Sequence, residues 1–288
     1  MRIGLMLGGG GIVGIAWELG VMAGLEERAG FDPLAMEVIV GTSAGSVAGA
    51  QVALGTPLSE LVARQQRPPR RTTTPAPPAP SRSAAGTTVI PEEIMRLLLS
   101  QTGSVEERVI AIGAAAADVP VALREEDYVD SFRTMLGSDQ WPAGDLRLST
   151  AECGSGRTVL WTKHDGIDLV RAVASSCAIP GYFPSVGFAG QRYIDGPRRD
   201  CHGPVAKEKQ LDALVFIGPL GALPSGLRLN PEIDQMAAAG FPVVQVTGGD
   251  ALAAVATELM DPGARVAAVN VGLDDGRAAA DAFTALTS

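Results

Sequence analysis

Apolar positions along the first fifty residues alternate between short runs and helical stripes. Ile3 to Leu7 is a short apolar run and predicts a strand. After the glycines at 8–11, Ile15, Leu19, Met22 and Leu25 recur at helical spacing. They predict a helix from Ile12 to Arg28, closed by Gly30. Val38, Ile39 and Val40 are β-branched and predict a second buried strand, and the small residues after Gly45 suit a helix. Strand, glycine loop, helix, strand, turn, helix implies parallel strands joined by right-handed crossovers, and so an α/β fold with a mainly parallel sheet. Further on, Pro91 to Ser100, Val105 to Ala117 and Glu125 to Leu136 read as helices, a helical insertion over residues 91–144. Leu146 to Ala151 and Thr158 to Thr162 read as strands joined by a hairpin-type connection around Gly154-Ser155-Gly156. Asp168 to Ser176 reads as a helix, Leu214 to Ile217 as another buried strand, and Arg277 to Leu286 as a closing helix.

Residues 61–90 break this rhythm. They are rich in proline, lack apolar periodicity and hold Arg64, Arg67, Arg70, Arg71 and Arg82 without an acidic residue. The composition predicts an extended, flexible loop with polyproline II character. Its charge is the reverse of the rest of the chain and could steer an anionic surface toward a site, although a solvated linker explains it equally well.

At 288 residues and 46% hydrophobic, the chain can bury one large domain spanning 1–288. A net charge of −9 argues against nucleic acid as a main partner, since phosphate contacts rely on clustered Lys and Arg. Cys153, Cys177 and Cys201 are odd in number and far apart, neither a disulfide framework nor a zinc pattern. With only His164 and His202 present, a histidine-based metal site is not expected, nor is a cofactor. The apolar N-terminus is interrupted by glycines, lacks a small-residue cleavage site and is followed by Glu18, so it reads as strand, loop and helix rather than a signal peptide. The expected location is cytoplasmic, with peripheral contact at a membrane as the open alternative.

Two segments carry candidate chemistry. Gly41-Thr42-Ser43-Ala44-Gly45 is a G-x-S-x-G between a strand and a helix, the pattern of a nucleophile elbow. The motif alone is common by chance; the flanking elements raise its weight. Gly9-x-Gly11-x-x-Gly14 meets the dinucleotide-binding spacing, but no acidic residue stands at the end of the second strand. The same loop also suits an oxyanion hole, in which amides of Gly9, Gly10 and Gly11 would face a tetrahedral intermediate. With a serine at the next strand end, the oxyanion reading is favoured. Asp195-Gly196 follows a strand and would be an ordinary turn were a base not needed. His202 follows Asp195 too closely for a comfortable Ser–Asp–His order.

Together these segments resemble the patatin-like phospholipases. The resemblance rests on Gly9 to Gly14, Gly41 to Gly45 and Asp195-Gly196 in that order, with Ala174 to Pro184 preceding the last. It implies a three-layer α/β/α sandwich and hydrolysis of lipid or fatty-acyl esters by a Ser–Asp dyad. Ser43 would be the nucleophile, Asp195 the base and Gly9 to Gly11 the oxyanion hole, with Gly14, Gly41, Gly45 and Gly196 supporting the turns. The chain departs from the family pattern at Val13, where Arg or Lys is usual, at Pro197, and mildly at Gly8. A nucleotide-binding module and a non-turnover lipid-binding relative are the competing readings.

Overall fold

A computed structural model describes residues 1–67, 90–100, 102–121, 123–196, 201–219, 231–256 and 258–288. Its elements begin with β1 (Ile3–Leu7), α1 (Gly11–Ala29), β2 (Val38–Thr42), α2 (Ala44–Ala53) and α3 (Leu58–Gln66). Then come α4 (Glu92–Leu99), α5 (Val105–Ala117), α6 (Glu125–Leu136), β3 (Leu146–Glu152), β4 (Thr158–Trp161) and α7 (Leu169–Ser176). The remainder holds β5 (Val186–Phe188), β6 (Gln191–Ile194), α8 (His202–Glu208), β7 (Ala213–Gly218), α9 (Pro231–Ala238), β8 (Val243–Thr247), α10 (Asp250–Val255) and α11 (Arg265–Thr287). The chain divides into two compact units: Met1–Pro69, Pro142–Arg147 and Arg199–Ser288 form one, Arg70–Trp141 and Leu148–Arg198 the other.

In the first unit β2, β1, β7 and β8 pair in that order, all parallel. Gly4 to Leu7 stand opposite Val38 to Gly41 on one side, and Ile3 to Leu7 opposite Ala213 to Ile217 on the other. β1, β2 and β7 are buried at every position, as near-continuous apolar runs require when both faces are covered. One cover is the pair α1 and α11. A Cβ on Gly272 would overlap the carbonyl of Trp17, and one on Gly276 that of Val21, so the two backbones approach as only glycine allows. The indole of Trp17 donates to Asp275 Oδ2 at 2.7 Å across this seam.

In the second unit the pairing is antiparallel: β5 with β6, β6 with β3, and β3 with β4. The α/β class thus holds, but the strands are mixed rather than mainly parallel. Short connections at Gly154 to Arg157 and Ala189-Gly190 reverse the chain, and these permit antiparallel neighbours. Ile94, Val109, Ile112, Ala151 and Ile194 form a core here. Ser104 and Glu107 close a reciprocal capping box on α5. Glu125 accepts from the amide of Gly187 and from Arg171 and Arg192, fastening α6 to β5, β6 and α7.

Residues 61–66, expected as the start of a loop, instead complete α3, because Leu58, Leu61 and Val62 give it a buried side. Residues 68–89 of that segment lie outside the described residues, as does Pro197. Helices α4, α5 and α6 fall within 91–144. Among the described residues no helix is long and apolar enough to cross a membrane.

Candidate active site

Ser43 immediately follows β2 and caps the start of α2 with φ 55° and ψ −117°. A non-glycine residue in this region is strained, and the surrounding chain must impose it. The imposition is steric. A Cβ on Gly41 would overlap the backbone of Gly45, and a Cβ on Gly45 would overlap the carbonyl of Leu7, so the turn closes only with glycine on either side of the serine. Ser46 then locks it: its amide and its hydroxyl both donate to the Ser43 carbonyl, at 2.9 and 2.6 Å. The Ser43 side chain stands at the positive end of α2 and is largely buried.

The glycine loop lies beside this turn, at the carboxyl end of the neighbouring strand β1. Gly45 donates to the carbonyl of Gly8, and Gly8 to that of Ile217. Gly14 sits against Ala44, where a Cβ would come within 3.1 Å of the alanine's own. Among the described residues, the amides of Gly9, Gly10 and Gly11 donate to no backbone carbonyl, whereas Val13 donates to Leu259 and Gly14 to Gly10. Gly11 has φ 62°, and a Cβ there would meet the Leu259 carbonyl and the Met260 sulfur. Pro219 packs on Gly10 and Gly14 in the same way. No local pattern marks Pro219, Leu259 or Met260 as neighbours of this loop; they come from far along the chain.

Asp195 and Gly196 belong to the second unit. Asp195 immediately follows β6, and its amide donates to the carbonyl of Ala178 at 2.9 Å. Its Oδ1 is buried. Burial, and after it the nearby Cys177 and Asp195, push the phenol of Tyr128 well above its usual value. That ring stacks on Phe183 at 4.7 Å and meets Phe132 edge-on.

The two histidines differ. His164 is exposed in the turn after β4. His202 is buried at the start of α8, its ring edge-on to Phe216 at 6.0 Å, while Glu232 accepts from the amides of His202 and Gly203. Among the described residues no three His, Cys, Asp or Glu side chains gather to hold a metal ion.

The fold and this turn define an α/β protein with a strained serine between a parallel strand and a helix, beside a glycine loop. The family model described as patatin-like phospholipase matches residues 5–200, and the chain belongs to that family. Membership supports a lipid hydrolase function. No curated protein matches the chain. Among solved structures it is similar to VipD from Legionella pneumophila, at 12% identity over 97% of this chain and 67% of that one, with a TM-score of 0.48. It is similar as well to the type III effector ExoU, at 16% identity over 97% of this chain and 53% of that one, TM-score 0.39. This chain therefore spans about half the length of that effector. A third likeness, at 18% identity and TM-score 0.36, is to the acyltransferase domain of an iterative polyketide synthase of enediyne biosynthesis, covering 100% of this chain and 74% of that domain.

Proposed function

We propose that the protein is a serine lipid acyl hydrolase of phospholipase A or lysophospholipase type, in which Ser43 is the nucleophile, Asp195 the base and the amides of Gly9, Gly10 and Gly11 the oxyanion hole. The observation that carries the reading is the forced backbone of Ser43 beside a loop whose amides are uncommitted among the described residues. As the Ser43 hydroxyl oxygen attacks the acyl carbonyl, Asp195 takes its proton. The resulting oxyanion is held by the glycine amides, each such donor being worth about 3 kcal/mol. Collapse expels the alcohol, which leaves with the proton from Asp195. Water, deprotonated by Asp195, then attacks the acyl-enzyme; the ester bond to Ser43 breaks, Asp195 returns its proton to the serine oxygen, and the fatty acid leaves. A carboxylate with an ordinary pKa of about 4 is a weak base for this, so in this reading the oxyanion hole carries much of the rate. The substrate is a lipid or fatty-acyl ester met at a membrane surface by a protein acting from the cytoplasmic side.

Fluorophosphonate labelling with mass mapping tests the reading. The expected result is one modified residue, Ser43, with labelling and ester hydrolysis both lost in Ser43→Ala. Wild-type hydrolysis of short p-nitrophenyl esters by that variant would refute it. A folded protein that resists labelling would favour the non-turnover relative. Saturable nucleotide binding indifferent to Ser43 would favour the nucleotide-binding module.

A further inference from the structure

We infer that Thr150 is a positioning residue for Asp195, an inference that rests on the reading of Asp195 as the base. Thr150 lies in β3 and is fully buried. Valine would fill the same space in a strand without burying a hydroxyl, so the oxygen needs its own justification. That oxygen lies 2.8 Å from the carbonyl of Ile194 and 3.2 Å from the carbonyl of Ser175. A hydroxyl has one proton, here donated mainly to the nearer acceptor and shared with the second.

Those two carbonyls are the ends of two elements. Ile194 is the last residue of β6, paired opposite Ala151, and Asp195 is the first residue beyond it. Ser175 is in the last turn of α7. Thr150 therefore clamps the end of the strand that presents Asp195 to the end of the helix that precedes it. The clamp is itself braced. The Trp161 indole donates to the Ser175 hydroxyl at 3.0 Å, and that hydroxyl donates to the Ala172 carbonyl at 2.7 Å. The Asp195 amide donates to Ala178, two residues past the end of α7. The backbone direction at Asp195, and with it the aim of the carboxylate, is set by these bonds.

The test is Thr150→Val against Thr150→Ser, with steady-state ester hydrolysis, the pH–rate profile and the rate of fluorophosphonate labelling measured on folded protein. The expected result for Thr150→Val is a fall in kcat of about tenfold or more with KM within about twofold, since a misaimed base costs turnover rather than binding. Labelling slows by the same factor, the acid limb of the profile moves, and Thr150→Ser restores wild-type behaviour to within about threefold. If valine prevents folding, Thr150→Ala against Thr150→Ser makes the same comparison. Unchanged kcat in Thr150→Val alongside an inactive Asp195→Asn overturns the inference and leaves the function standing. Equal loss in the valine and serine variants overturns it too, because volume and not the hydroxyl would then matter. Wild-type turnover in Asp195→Asn removes both.

Discussion

The amide of Gly45 donates to the carbonyl of Gly8 across 2.8 Å, joining the turn that follows β2 to the loop that follows β1. A single backbone bond thus puts the strained serine turn and the glycine loop in one frame. It forms only because neither strand end carries a side chain at the crossing. Gly45→Ala would drive a methyl group into the Leu7 carbonyl, which β1 holds in place. The expected loss is about 3 kcal/mol or more, the upper range for overpacking, since backbone rather than a flexible side chain must give way. Gly144→Ala is the control: nothing lies within 4 Å of its Cβ, and its stability should match wild type in denaturant unfolding.

The strain at Ser43 makes a second prediction that separates stability from function. Its φ of 55° costs an L residue energy that glycine does not pay. Ser43→Ala keeps the strain and loses only the hydroxyl. Ser43→Gly releases it and should be more stable than Ser43→Ala by about 1 kcal/mol, although glycine gains freedom in the unfolded chain. Both variants should be inactive. Equal unfolding midpoints would mean that the turn is relaxed.

How far these features can be read from the chain depends on how local their causes are. β1, β2 and the serine turn follow from adjacent residues, apolar runs ending in glycine, and appear where the pattern puts them. α11 does not: the pattern suggests a helix only from Arg277, yet it begins at Arg265. Gly272 and Gly276 read locally as helix breakers, and only the distant α1, with Trp17 and Val21 against them, makes them useful. The short helix α8 has no clear periodicity, whereas β8 does carry a strand pattern, Val244 and Val246 buried with Gln245 exposed between them, that the alanine-rich surroundings obscure. Within the candidate site the glycine loop and Ser43 were visible from spacing alone, whereas Thr150, Tyr128 and Leu259 act through contacts with residues remote in sequence.

The α1–α11 seam gives the third prediction. Gly276→Ala places a methyl group onto the Val21 carbonyl, and the helices must separate to admit it. Separation would also lengthen the bond between the Trp17 indole and Asp275. A destabilisation of about 2 kcal/mol is expected, with a change in Trp17 fluorescence in the native state. Ala280, partway along the same helix and already buried, shows that larger residues are tolerated once past the glycines.

Acid sensitivity should arise at Asp145. Burial works to raise its carboxyl, but hydrogen bonds from Arg147 and Lys209 and their charges outweigh this and hold it below the usual carboxylate value. Arg147 also makes two bonds to Glu208, at 2.6 and 2.7 Å. The folded state therefore binds the Asp145 proton less tightly than the unfolded chain does. Its contribution is complete above the unfolded value of about 4 and is lost as pH falls through the lowered one. Arg147→Met should cost about 2 kcal/mol at neutral pH, and the gap from wild type should narrow in urea titrations at successively lower pH.

The last prediction concerns the base. If Asp195 serves alone, a histidine contributes nothing to the proton transfers, and His202 has a structural reason to be buried: its ring meets Phe216 edge-on and its amide is held by Glu232. His202→Ala should then lower the unfolding midpoint, since a buried aromatic-sized group is lost, while kcat per folded molecule stays within about twofold of wild type. Asp195→Asn should reduce kcat by at least about a thousandfold with the fold intact, because an amide cannot accept the serine proton. The pH–rate profile discriminates further. The limb given by a histidine base would vanish in His202→Ala, whereas a lone carboxylate leaves the limb unchanged in that variant. A histidine-dependent limb, or a dead His202→Ala with native circular dichroism, would replace the dyad with a triad.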